Sequence, residues 1–221
     1  MERHFEQELE KLNRRLLKMG SLVYDQVHRS LEALLAGDIE LAAQVISLDN
    51  KVDKLDVKID KLCQRIFALT QPVATDLRLI MSALKMNNDL ERIGDLAVNI
   101  AEKVEGVSEY REILSQHHID DLIGMTDLIV RDVVNILQNR NSAFVKDIFT
   151  SAAAIEEKVL TIKARILDEM MHKSEVIVVA THLVIILTHI DRIAGYATNI
   201  AESIFFVVEG RMIKHKKDEI I

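Results

Sequence analysis

Asn87-Asn88-Asp89-Leu90-Glu91-Arg92-Ile93-Gly94-Asp95-Leu96-Ala97-Val98-Asn99-Ile100-Ala101-Glu102 returns one hundred residues later as Leu187-Thr188-His189-Ile190-Asp191-Arg192-Ile193-Ala194-Gly195-Tyr196-Ala197-Thr198-Asn199-Ile200-Ala201-Glu202. Arg, Ile, Ala, Asn, Ile, Ala and Glu fall in register, and in both copies the apolar residues recur at helical spacing. An internal repeat of this length means that one helical unit is built twice.

Outward from the repeat, the same periodicity divides the chain into six blocks. Leu9, Leu12, Leu16, Met19, Val23, Val27, Leu31 and Leu34 mark a first helix that ends at Gly37. Asp38 is placed to cap a second, which runs on Leu41, Val45, Leu48, Val52, Leu55, Ile59, Leu62 and Ile66 until Pro72. The third opens near Thr75 or Asp76 and continues to about Gly106. Residues 107–116 are polar and without clear period, the best boundary in the chain. A fourth helix then spans about residues 118–138. Asn141 or Ser142 caps a fifth that reaches Met171, and a sixth runs from Ser174 to Val208. Long helices with short connections fold back on one another. The expected fold is all-α: two pseudo-repeated antiparallel three-helix bundles made of six long helices. Residues 1–110 form the first, and residues 111–221 form the second with a short basic tail.

Composition agrees. Of 221 residues one is Pro, seven are Gly, none is Trp and 4% are aromatic, too little punctuation for a β fold. The 35 acids outnumber the 28 bases for a net charge of −7, so no overall field favours nucleic acid. Cys63, the lone cysteine, has no internal disulfide partner and sits in a helical pattern as a small hydrophobe. The first residues lack the basic head and apolar core of a signal peptide, and the longest uncharged run, residues 176–190, is interrupted by Thr and His. A cytoplasmic chain with no membrane span is expected.

The acids are ordered. Asp49, Asp53, Asp56 and Asp60 fall within a helical band about 60° wide. Lys51, Lys54, Lys58 and Lys61 never stand three or four positions from any of them, so the column contains repulsions of roughly 0.2–0.5 kcal/mol each and no helical ion pair. A solvated face is one reading; a cation-binding face is the other. On the third helix Asn88, Glu91, Asp95, Asn99 and Glu102 form a second band of about 80°, opposite Leu90, Ile93, Ala97, Ile100 and Val104. Because the second and third helices are antiparallel neighbours, Asp56 and Asp60 with Glu91 and Asp95 can present four carboxylates to shared divalent or trivalent cations near the bundle surface. His117, His118, His182 and His189 lack zinc-site spacing and read as helix-end and packing residues.

These residues resemble the PhoU family of bacterial phosphate-signalling proteins over essentially the whole chain. The resemblance rests on Asp56 to Asp60, Gln71-Pro72-x-Ala74-x-Asp76-Leu77-Arg78, the Asn88 to Asp95 stretch, and Asp191-Arg192-Ile193-Ala194 leading to Asn199-Ile200-Ala201-Glu202. It implies two three-helix bundles whose acidic motifs in some members hold multinuclear iron or other metal clusters, with Asp56, Asp60, Glu91 and Asp95 as the first cluster's ligands and iron, zinc or magnesium as the candidate ions. It also implies regulation of phosphate uptake and damping of the phosphate-starvation two-component response. The implied partners are a PhoR-like sensor histidine kinase and a PstB-like transporter ATPase.

The second repeat departs from this pattern: Gly195 stands opposite Asp95, and Leu160 stands opposite Asp60 unless the fifth helix is aligned one turn differently, with Glu156 facing Asp53. The second site is expected to be weak or empty, with Glu156, Glu157, Asp191 and Glu202 as the acids left to retain one ion. No nucleophile-base pair or phosphate loop argues for an enzyme. A ferritin-like di-metal oxidase would need Glu-x-x-His pairs facing a bundle interior, and the columns contain none. A purely structural scaffold is the third class. Arg92 and Arg192 are placed to pair with neighbouring acids, residues 211–217 read as a solvated tail, and exposed acids permit a metal-bridged homodimer.

Overall fold

The structure, a computed structural model, describes residues 2–213. Six long helices, α1 (Glu2–Ala36), α2 (Ile39–Leu69), α3 (Ala74–Ala101), α6 (Ile119–Asn139), α7 (Val145–His172) and α8 (Ile177–Glu209), are joined by short turns. Two short ones, α4 (Val104–Val107) and α5 (Glu112–Gln116), lie between the halves. The Asp38 carboxylate caps α2 by accepting the Leu41 amide at 2.9 Å. Asn141 accepts from Ala143 ahead of α7, through a short 3-10 turn. Gly210 ends α8 with φ of 70°, a left-handed residue whose amide returns to Phe206.

The stretch expected to be an aperiodic boundary is instead ordered structure. Its few apolar residues decide this, since Val104, Val107, Ile113 and Leu114 are all buried. Arg111 reaches back to donate to the Ala36 carbonyl at 2.7 Å, so the segment caps the orphan end of α1. At Gly37, with φ of 66°, a side-chain carbon would stand 2.9 Å from that arginine.

Helices α1, α2 and α3 pack on one another, as do α6, α7 and α8. The two groups meet through α3 against α8 and α1 against α6, so α2 and α7 are the flanking helices. One continuous core runs through both groups, from Leu12 and Leu16 to Ile200 and Ile204. Helices α3 and α8 bury more than one face and do so with small residues: Ala83, Ala97 and Ala101 on one, Ala180, Ala194, Ala197 and Ala201 on the other. By length and composition α8 resembles a membrane span, yet it packs against α3, α6 and α7 and carries Asp191, Arg192 and Glu202. Of the basic tail, Arg211 and Met212 are exposed and Ile213 is buried; Lys214 to Lys217 lie outside the described residues.

The α3–α8 contact is antiparallel. Asp89 of α3 takes a hydrogen bond from Asn199 and feels the charge of Glu202, while the α3 end, Glu102 and Lys103, faces His189. Farther along, Gly106 lies flat against the His182 ring, where a side-chain carbon would come within 2.7 Å. The sequence expectation for His182 and His189 as packing residues describes their place here. Burial, then the nearby Arg192 and Lys103, holds His189 below its ordinary pKa.

Asp89 is only 4% exposed, and its Oδ2 has no partner. Burial pushes its pKa up to about 6. A folded-state pKa above the unfolded one means that protonation favours the native state. The contribution is therefore full below about pH 4 and is lost as pH rises through 6. Asp89→Asn, which keeps the Asn199 contact without the charge, is expected to stabilise the protein by about 2 kcal/mol at pH 8 and little at pH 4. Thermal melts across that range check it; a variant less stable than wild type at pH 8 contradicts the assignment.

Candidate functional site

The two acidic columns meet along the α2–α3 seam of the first bundle. Asp49, Asp56 and Asp60 are half-buried and Asp53 is exposed on α2; Glu91 and Asp95 are half-buried on α3. The antiparallel register sets Glu91 against Asp53 and Asp56, and Asp95 against Asp49 and Asp53, whereas Asp60, expected among the four, acts on Asp56 at the end of the row. Burial raises the Asp56 pKa, and the charges of Asp60 and Asp53 add to that rise. Glu91 is raised by burial and then by Asp95, Asp56 and Asp53. Burial, Asp49 and Asp53 likewise raise Asp95, against a lowering by Arg92. Asp56, Glu91 and Asp95 are thus held toward protonation first by burial and then by neighbouring carboxylates.

What offsets the repulsion comes partly from residues that helical spacing of acids did not reveal. Asn87, fully buried on α3, points its amide at α2 and donates to Asp56 Oδ1 at 2.6 Å, to Asp60 Oδ1 at 3.2 Å and to the Asp56 carbonyl at 3.3 Å. Gln26, fully buried on α1, donates to Asp49 Oδ1 at 3.0 Å. The carbonyl oxygens of both amides, Asn87 Oδ1 and Gln26 Oε1, are buried without a hydrogen-bond partner. Gly94 makes room for this layer: a side-chain carbon there would stand 3.0 Å from Gln26 Oε1. The only sequence signal for Asn87 and Gln26 was a polar residue inside an apolar register, Gln26 three positions after Val23 and Asn87 next to Met86 and Leu90.

Arg92 stays on its own helix, 3.6 Å from Glu91 and 3.4 Å from Asp95, half-exposed and therefore a weak clamp. The four α2 lysines at positions 51, 54, 58 and 61 make no ion pair with the column among the described residues. Asn88 is exposed and Asn99 half-buried on the same face of α3, whereas Glu102 lies at its end, toward His189. His117 hydrogen-bonds Glu169 at 2.9 Å and closes α5, away from the columns. Cys63, buried behind Asp60, has its thiol pushed up to about 12 and is inert as a nucleophile.

As a donor set the seam is all oxygen, with six carboxylates and two orphan amide oxygens, which suits hard or borderline cations. Among the described residues, no three His, Cys, Asp or Glu side chains converge closely enough to enclose an ion. The Asn87 and Gln26 amides point their donors at the α2 carboxylates; a half-turn of either amide would turn its orphan oxygen toward them instead. The residues fit a cation on those terms.

The second repeat shows what remains when this set is removed. Between α7 and α8 is an open groove of about 790 Å³ whose lining includes Phe149, Ala153, Glu156, Asp191, Arg192 and Gly195. Counting one hundred residues forward, Asp49, Asp53, Asp60 and Asp95 have become Phe149, Ala153, Leu160 and Gly195. Both amides go with them. Leu187 replaces Asn87, and on α6, where the buried pattern of α1 recurs 103 residues on, buried Ile129 stands in the place of Gln26. Glu156 and Asp191 share the groove, Glu157 is exposed, and Glu202 lies in a different pocket beside Lys85. Arg192 has no carboxylate within ion-pair distance among the described residues.

Comparison with known proteins agrees with this two-part plan. The family model described as the PhoU domain matches twice, at residues 16–104 and 119–204. The phosphate-specific transport system accessory protein PhoU of Serratia marcescens is 33% identical over 218 residues, 96% of this chain and 87% of that protein. The PhoU homolog of Rhizobium meliloti is 32% identical over 208 residues, 93% of this chain and 87% of that one. Among solved structures, PhoU from Pseudomonas aeruginosa superposes with a TM-score of 0.87 at 30% identity, covering 94% of this chain and all of the other. The phosphate transport system regulatory protein PhoU from Streptococcus pneumoniae gives 0.85 at 26% identity, covering 94% of this chain and 98% of that one.

Replacing Asn87 by leucine, the residue of the second repeat, removes the donor shared by Asp56 and Asp60 while keeping the branched shape of the side chain. The expected cost is about 1–3 kcal/mol in metal-free protein at neutral pH, read by urea unfolding. A change below about 0.5 kcal/mol would show that the amide does not support the column.

Proposed function

Because the chain belongs to the PhoU family, we propose that it serves as an accessory regulator of phosphate transport, acting through protein contacts made at the acidic seam of its first repeat. The observation that carries the regulatory role is the match along nearly the whole chain to relatives named as accessory and regulatory proteins of phosphate transport. The more specific role is negative regulation of the phosphate-starvation response, with a sensor histidine kinase and the phosphate transporter ATPase as partners. It follows from the family resemblance and from a surface rich in unneutralised carboxylates, which steers and orients a basic partner.

The seam's second property is cation binding. Asp56, Asp60, Glu91 and Asp95 would hold iron, zinc or magnesium, with Asp49, Asp53 and the amide oxygens of Asn87 and Gln26 as further donors. A bound cation would supply positive charge to a site whose carboxylates now raise one another's pKa. The joint replacement of four acids and two amides in the second repeat supports treating them as one functional set, and it argues for a second site, at Glu156 and Asp191, that is weak or empty. Family names and the regulatory reading assign the chain no catalytic residue.

One triple variant, Asp60→Asn with Glu91→Gln and Asp95→Asn, tests both properties. Metal analysis of wild type is expected to find cations that the variant loses, together with a metal-free variant more stable than metal-free wild type by about 0.5–1 kcal/mol through relieved repulsion. In capture experiments with soluble kinase and transporter-ATPase domains, wild type should retain both partners and the variant should lose them at least tenfold. Retention of both partners by a metal-free, folded variant would remove the seam from the partner contact. Capture of neither partner by wild type would remove the proposed partners.

A further inference from the structure

At the hairpin between α6 and α7 the second repeat holds a cavity of about 460 Å³, the size of a small organic ligand rather than of a single ion. Its floor is apolar, since Ile136 of α6 and Ile148 of α7 are each only 2% exposed. Phe144 forms a wall and is 54% exposed. Each helix adds a carboxylate to the lining, Asp132 from α6 and Asp147 from α7, and Asn135 and Asn139 add amide groups. Among the described residues Asp147 has no ion pair, and Asp132 has only the adjacent Arg131, at 3.9 Å.

The turn that carries Phe144 is fixed by its own hydrogen bonds, so the walls are set before any ligand arrives. Asn141 Oδ1 accepts the Ala143 amide at 3.0 Å, and the Ser142 hydroxyl donates to Glu209 at 2.7 Å. Arg140, the cation of that turn, is directed to α1, where it donates to Asn13 Oδ1 at 3.0 Å. The first repeat has no counterpart. Counting back 103 residues on α6 and 100 on α7, Asp132, Asn135 and Ile136 become Arg29, Glu32 and Ala33, while Phe144 and Asp147 become Gln44 and Ser47. Arg29 is tied to Asp25 at 3.0 Å. The acid pair and the exposed ring occur together, and in one repeat only.

Two carboxylates beside an apolar floor suit a positive charge carried on an apolar stem, and the face of an aromatic ring attracts the same group. An inorganic divalent cation takes oxygen ligands and keeps its waters, and it gains nothing from Ile136, Ile148 and Phe144. We propose that the α6–α7 cavity binds an organic cation, an alkylammonium or guanidinium group whose stem lies on Ile136 and Ile148, whose charge faces Asp132 and Asp147, and whose open side is covered by Phe144. A free polyamine and an arginine or lysine side chain of another polypeptide both carry that chemistry. The site is separate from the acidic seam and does not rest on the role in phosphate transport.

Isothermal titration calorimetry of the full chain, in chelator at low salt, tests the site with two probes: spermidine, and the capped tripeptide acetyl-Gly-Arg-Gly-amide. Saturable one-to-one binding is expected. Binding of spermidine alone assigns a free polyamine, whereas binding of the tripeptide assigns a side chain. Because the seam also attracts cations, the Asp60→Asn, Glu91→Gln, Asp95→Asn variant serves as control and should retain this binding. Asp132→Asn with Asp147→Asn should raise the Kd at least roughly tenfold with unchanged helical circular dichroism. Phe144→Leu keeps the apolar surface, loses the ring and should raise the Kd roughly threefold. The chain has no tryptophan, so Phe144→Trp supplies a single fluorescent reporter that should saturate with the calorimetric Kd. The proposal is overturned by absence of saturable binding of either probe at millimolar concentration, by binding that survives the Asp132, Asp147 pair of changes, by a Kd indifferent to Phe144→Leu, or by displacement with magnesium where sodium of equal ionic strength has no effect.

Discussion

Everything else in the molecule is arranged around the antiparallel packing of α3 on α8. That contact joins the two repeats into one core, and it forces both helices to bury more than one face, which is why alanines recur along them. With α1 and α6 also facing each other, α2 and α7 are left on the flanks. Each then has one face toward its own bundle and one toward solvent, so whatever chemistry the flanking helices carry is displayed outward.

The two flanks display opposite chemistries. On α2, with α3, six carboxylates crowd a half-buried seam whose repulsion is relieved by two buried amides, a glycine that makes space, and one weak arginine clamp. On α7 the positions matching Asp49, Asp53 and Asp60 are apolar or small, the groove beside it is open, and Leu160, Leu167 and Met171 face solvent. A duplicated unit therefore displays two different surfaces, one crowded with carboxylates and one apolar. The acids and amides were exchanged as a set because each is costly alone. A buried amide without its carboxylate is an unpaired donor, and a carboxylate column without its donors is uncompensated charge.

Much of this was legible from side-chain spacing. The internal repeat, the six long helices, the Asp38 cap, the acidic columns and the loss of acids at Leu160 and Gly195 all follow from periods along one chain. The stretch between the repeats reads as aperiodic because its sparse apolar residues, Val104, Val107, Ile113 and Leu114, have no period; their order comes from the ends of α1 and α8 that receive them. Asn87 and Gln26 escaped because a polar residue in an apolar register looks the same whether it meets a carboxylate or a backbone carbonyl.

The sequence by itself determined which helices form, that they form twice, and which faces are acidic, since those depend on local propensity and on a 3.6-residue period. Only the tertiary structure decided that the halves share one core, that Asp89 is buried at their junction, that amides from α1 and α3 reach the α2 column, and that Leu160, Leu167 and Met171 on α7 face outward. These depend on which helix faces which, a relation between residues up to a hundred positions apart that no helical period encodes.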